Sequence, residues 1–174
     1  MPCAWSEGAT TTSSPVADRL VLDASVALAI ARAEPGAEAI RTILADHLAA
    51  DGEIEVPDHF WLELVNVMVR RYRRTAPEVV ETIRELDELG IVTREIDRPL
   101  LMLVLQWMLT EQLSAYDAAY LALAEVVDGR LLTLDDRLSA VAGERAIRHA
   151  AALTAAPAFG PYLAELRRRA EATA

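Results

Sequence analysis

Leu20-Val21-Leu22-Asp23-Ala24-Ser25 is a run of three apolar residues closed by an acid and followed by a helix-compatible stretch. An unbroken apolar run this short reads as a strand buried on both faces. Residues 25–32 then read as a helix, broken near Pro35-Gly36. Outward from this stretch the pattern repeats. Helix is expected over 36–50, strand over 54–56, and helices over 58–74 and 77–89, the latter closed by Gly90. Strand is expected over 91–93, helices over 99–111 and 115–127, strand over 130–134 and a short helix over 136–142. A last strand is expected over 147–152 and a C-terminal helix over 162–172. Short apolar strands alternating with helices predict an α/β fold with a parallel sheet covered on both faces. In such sheets ligands bind beyond the carboxyl ends of the strands. Asp23 and Asp135 both fall there.

The chain has 174 residues, 53% of them apolar, enough for one domain with a sizeable core. Residues 1–17, rich in Ser, Thr, Ala and Pro, read as a disordered leader, 18–152 as the domain and 153–174 as a C-terminal extension. The formal net charge of −10 argues against broad, charge-driven binding to nucleic acid or anionic membrane. All 17 basic residues are Arg, which excludes P-loops and Schiff-base chemistry. Cys3 is the only cysteine, and His47, His59 and His149 lack zinc-motif spacing. Residues 1–17 lack the features of a signal peptide, and no apolar run is long enough to span a bilayer. A cytoplasmic location without membrane attachment is the expectation.

Four acids interrupt or close apolar segments: Asp23, Glu63, Asp117 and Asp135. Carboxylates beside a core are costly unless paired, hydrogen-bonded or bound to a cation. Each has a plain structural reading. Asp23 fits a helix cap. Glu63 lies on a narrow polar stripe with His59, Asn66 and Arg70, which reads as a solvated face. Asp117 fits a capping box with Ser114, and Thr133 resembles one with Asp136, which leaves Asp135 without a structural task. Asn66 is the only Asn, one turn from Glu63, where an amide can orient a carboxylate. Taken together, four acids suit a hard divalent cation such as Mg²⁺ or Mn²⁺. The cluster Arg70, Arg71, Arg73 and Arg74 reads first as a solvated helix end and second as a phosphate contact. Arg167–Arg169 reads as the polar face of the last helix. Trp61, Trp107 and Tyr162 read as core or interface.

Four segments, in this order, resemble a PIN-domain protein of the VapC toxin ribonuclease type. They are Leu20-Val21-Leu22-Asp23-Ala24-Ser25, Glu63-Leu64-Val65-Asn66-Val67, Ser114-Ala115-Tyr116-Asp117-Ala118-Ala119-Tyr120-Leu121-Ala122-Leu123-Ala124 and Leu131-Leu132-Thr133-Leu134-Asp135. The resemblance covers residues 19–150. It implies a three-layer α/β/α fold around a mostly parallel five-stranded sheet. It implies one or two Mg²⁺ or Mn²⁺ held by Asp23, Glu63, Asp117 and Asp135. Asn66 would support Glu63, Ser25 and Thr133 would position ligands or substrate, and Asp136 would substitute for Asp135 or lie outside the site. It further implies RNA as substrate, a VapB-like antitoxin as partner and a homodimer. The rival reading is a PIN-like module that binds RNA or a partner without cleaving. A haloacid-dehalogenase-like phosphatase expects an acid where Ser25 stands, and a receiver domain needs a Lys that the chain lacks.

Overall fold

Leu20, Val21 and Leu22 are wholly buried in strand β1 (Arg19–Leu22), the centre of the molecule. The computed structural model describes residues 18–143. The expected leader, the strand over 147–152, the C-terminal extension with its helix and arginine cluster, and Tyr162 lie outside the described residues. β1 is flanked by β2 (Glu53–Pro57) and β4 (Arg130–Leu132), and β3 (Val92–Arg94) completes the order β3-β2-β1-β4. Every pairing is parallel: Val21 lies opposite Glu55 and Leu131, and Val56 opposite Thr93. Among the described residues the sheet therefore has four strands where the sequence led us to expect five.

Among the described residues seven helices accompany the sheet: α1 (Ala24–Ala31), α2 (Ala37–Ala49), α3 (His59–Arg70), α4 (Ala76–Asp87), α5 (Arg98–Glu111), α6 (Ala115–Val126) and α7 (Asp136–Ala142). α6 packs on β1, β2 and β4 and carries α5 on its outer side. Ala118–Ala124 are all buried, as a helix sandwiched between a sheet and a second helix requires. α1 packs against α2 and α3, and α3 against α4. Trp61 and Trp107 are partly buried against the core, their indole N–H groups donating to Thr93 and Glu125. No helix among the described residues is long and apolar enough to cross a membrane.

Two expected boundaries shift, each for a local reason. α3 stops at Arg70 rather than running to Arg74. Arg73 turns into the left-handed region (φ 57°), and Thr75 opens α4 with a capping box in which Glu78 reaches back to its N–H. β4 stops at Leu132 rather than Leu134, because the Leu134 N–H turns to the Ser25 hydroxyl (3.0 Å).

The α2–β2 turn has no room for a side chain. His47 is buried with its Nε2 3.1 Å from the Glu53 carbonyl, and a Cβ on Gly52 would lie 2.4 Å from that ring. Gly52→Ala is expected to destabilise the fold by about 1–3 kcal/mol through overpacking. A lower urea midpoint with unchanged slope checks it.

Candidate functional site

Asp23 leaves β1 with its N–H still on the sheet ladder, bonded to the Leu132 carbonyl at 3.0 Å. It occupies the N-cap position of α1, yet its side chain makes no cap hydrogen bond. The simple cap reading is therefore corrected. The carboxylate is buried instead, and its Oδ2 accepts from Ser25 Oγ (2.6 Å) and Thr133 Oγ1 (2.5 Å). Each hydroxyl also ties the β4–α7 loop. Ser25 Oγ accepts from the Leu134 N–H, and Thr133 Oγ1 from the Asp135 N–H (3.0 Å). Burial raises the Asp23 pKa above the ordinary carboxylate value. The hydrogen bonds from Ser25 and Thr133 oppose that rise, and the charge of Asp135 adds to it.

Glu63 is half-buried on α3 and meets α6 through the Tyr120 hydroxyl, which donates to its Oε2 at 2.9 Å. Burial raises the Glu63 pKa, Tyr120 opposes this, and the charges of Asp23 and Asp117 raise it further. Tyr120 is wholly buried, and burial with the neighbouring charges of Asp23 and Glu63 pushes its phenol far above the normal value. It is thus a permanent donor. The sequence reading missed it, although a Tyr one turn after Asp117 in a helix otherwise lined by Ala and Leu was the available signal.

Asp117, half-buried, has both a structural and an electrostatic role. Its N–H donates to Ser114 Oγ (3.1 Å), and that hydroxyl donates to its Oδ2 (2.8 Å). Its charge acts on Glu63 and on His59. Asp135 is exposed and is itself the N-cap of α7, its Oδ1 accepting from the Leu138 N–H at 2.7 Å. The Thr133–Asp136 capping box is therefore replaced by an Asp135 cap, because Asp23 has taken the Thr133 hydroxyl. Asp136 is exposed in the first turn of α7. Asn66 is exposed, and among the described residues no hydrogen bond joins it to Glu63.

His59 stands at the rim between Tyr116 (ring centroids 5.4 Å) and Tyr120 (5.0 Å, edge-on). Both ring nitrogens are buried without a hydrogen-bond partner. Burial lowers its pKa, opposed by the charges of Asp58 and Asp117 and by the Tyr116 backbone.

The four acids are thus joined by pairwise repulsion, Asp135 to Asp23, Asp23 to Glu63 and Glu63 to Asp117. Among the described residues none of the four forms an ion pair. Their chemistry, hard oxygen donors with one carboxylate buried and no cationic neighbour, fits a divalent cation. As placed, the carboxylates surround no single point: among the described residues no three of His, Cys, Asp and Glu are gathered closely enough to enclose an ion.

No curated protein matches the sequence at a significant level. Among solved structures, the chain is similar to the sarcin–ricin-loop-cleaving toxin VapC20 of Mycobacterium tuberculosis. The TM-score is 0.54 and the identity 17%, over 70% of this chain and 94% of that one. It is also similar to PAE2754 of Pyrobaculum aerophilum, with a TM-score of 0.54 and 24% identity over 85% of this chain and 99% of that one. Both likenesses concern the fold. The PIN-domain family model matches residues 20–144, a span that contains all four acids and Tyr120, and the chain belongs to the PIN-domain family.

Proposed function

We propose that this protein is an Mg²⁺- or Mn²⁺-dependent endoribonuclease and the toxin of a toxin–antitoxin pair. The observation that carries the reading is the set of four carboxylates joined by a chain of repulsions, centred on buried Asp23 at the end of β1, with no ion pair to any of them among the described residues. Membership of the PIN-domain family supports nuclease chemistry, and the fold likeness to VapC20 brings RNA and a toxin role into the reading. Asp23, Glu63, Asp117 and Asp135 would hold the cation. When bound, it would place positive charge on a phosphoryl oxygen and make water more acidic.

The chain's own residues supply the order. Ser25 and Thr133 fix Asp23, Tyr120 fixes Glu63, Ser114 fixes Asp117, and the Leu138 N–H fixes Asp135. One oxygen of each carboxylate is held, which sets the direction of the other. The acid set is also a receptor for a guanidinium. A VapB-like antitoxin that presents an Arg there would occupy the site and silence it. A homodimer acting in the cytoplasm completes the proposal.

One observation favours a second reading, a PIN-like module that binds without cleaving: the carboxylates do not converge on a point. Mn²⁺ titration with RNA present separates the two. The nuclease gains melting temperature with Mn²⁺ through linkage and cuts RNA, and EDTA abolishes both effects. RNA binding with neither a thermal shift nor cleavage would establish the module instead.

A further inference from the structure

α3 presents one polar stripe, His59, Glu63, Asn66 and Arg70, at helical spacing. The acid site uses only its first half. Beyond it at the His59 end stands Tyr116, the residue before Asp117. Tyr116 is 62% exposed, and its ring is tilted against His59, whose imidazole backs it. At the other end Arg70 is exposed, and among the described residues it has no carboxylate partner. Arg74, a few residues on, is neutralised by Glu78, and Arg84 by Glu81 and Glu88. Asn66 lies between, exposed, with no hydrogen bond to Glu63. From Glu63 to Arg70 the helix rises about 10 Å. The stripe therefore offers, in line, an aromatic face, a carboxylate site, an amide and an uncompensated guanidinium.

We propose that single-stranded RNA lies along α3, with one base stacked on the Tyr116 ring, the backbone passing Glu63 and a neighbouring phosphate held by Arg70. This rests on the endoribonuclease reading and adds to it the path and the contacting residues. Aromatic stacking with a cation on the backbone is the chemistry by which unpaired strands are bound. A double helix offers no free base face, so the arrangement selects loops and unpaired ends. Asn66, which does not support Glu63, faces the same path and donates or accepts at a sugar or base edge. His59 backs the ring from behind, its centroid 5.4 Å away.

The test measures binding apart from cleavage. In an Asp23→Asn background, a labelled single-stranded RNA of mixed sequence is titrated by fluorescence anisotropy across salt concentrations. Tyr116→Ala weakens binding about tenfold at every salt concentration, while Tyr116→Phe binds like the parent. Arg70→Gln lowers the slope of log affinity against log salt by about 0.7, the loss of one phosphate contact to a single strand. Arg84→Gln, on a neutralised arginine, changes nothing. Parental affinity in both Tyr116→Ala and Arg70→Gln overturns the proposal, as does a parent that binds no RNA. An Arg84→Gln effect equal to that of Arg70→Gln overturns it in favour of diffuse charge. Absent nuclease activity with these binding losses would sink the enzyme and leave the path standing. Cleavage by the wild type with unaltered binding in the variants would sink the path alone.

Discussion

Asp23→Asn is expected to lose RNA cleavage by about a thousandfold or more and, at the same time, to melt at a higher temperature than the wild type. The two effects have one cause. Asn keeps an acceptor for Ser25 and Thr133, so the lacing of the β1–α1 and β4–α7 loops survives. What disappears is a charge that burial and Asp135 both disfavour. The sign of the pH dependence follows. Asp23 and Glu63 have folded-state pKa values raised above those of the unfolded chain. Between the two values the native state binds more protons, so stability falls as pH rises through that window, and the loss is complete above the folded pKa. The wild type should therefore gain stability on mild acidification, before the general acid transition of other carboxylates. Asp23→Asn should flatten that rise. Mn²⁺ should restore the wild type near neutral pH and act less on the variant. Calorimetric melting temperatures across pH, with and without Mn²⁺, read all three outcomes. Wild-type cleavage by Asp23→Asn, or a lower melting temperature at neutral pH, would refute the account of the acid site.

The frame was legible because it rests on local physics. The apolar runs at Leu20–Leu22 and Leu131–Leu132 and the helix signals at Ser114 and Pro77 depend on near neighbours. What was not legible depends on distant ones. Thr133 with Asp136 read as the cap of α7, which left Asp135 without a structural task; in the structure Asp135 is the cap. The choice is made by Asp23, 110 residues away, which takes the Thr133 hydroxyl. Tyr120 passed unremarked in an apolar helix, because its hydroxyl has its partner 57 residues distant on another helix. Asn66 was placed on the correct face by periodicity, yet periodicity says nothing about whether an amide reaches a carboxylate. Glu55 passed unremarked within a short apolar strand. Its ion-pair partners lie on the flanking strands, and only the order β3-β2-β1-β4 brings them together.

That buried glutamate leads to a large expected stability effect. Glu55 is fully buried on β2, with Arg94 Nε 2.5 Å from its Oε2 and Arg19 3.5 Å from its Oε1. Arg94 approaches from β3 and Arg19 from β1, so one carboxylate ties three adjacent strands. The Oε1 oxygen has no hydrogen bond and depends on the Arg19 charge alone. Replacing both Arg19 and Arg94 by Met is expected to destabilise the fold by about 3–5 kcal/mol, because an uncompensated charge is left inside the sheet. Met keeps the apolar stems that cover the site, so lost packing does not account for the effect. The Arg19 contact to half-exposed Glu53 (3.7 Å) adds little. A third change separates the causes. Arg19→Met, Arg94→Met and Glu55→Met together should recover most of the loss, since an apolar replacement of a whole buried cluster is close to neutral. Urea unfolding reads both variants. A double variant as stable as the wild type would show that Glu55 does not need its arginines. A triple variant no better than the double would show that the strands need the ion pairs themselves. Neither arginine touches Asp23, Glu63, Asp117 or Asp135, so cleavage by the folded double variant should match the wild type. The charges that hold the strands together and the four acids proposed to hold the cation are separate sets, and each should fail without the other.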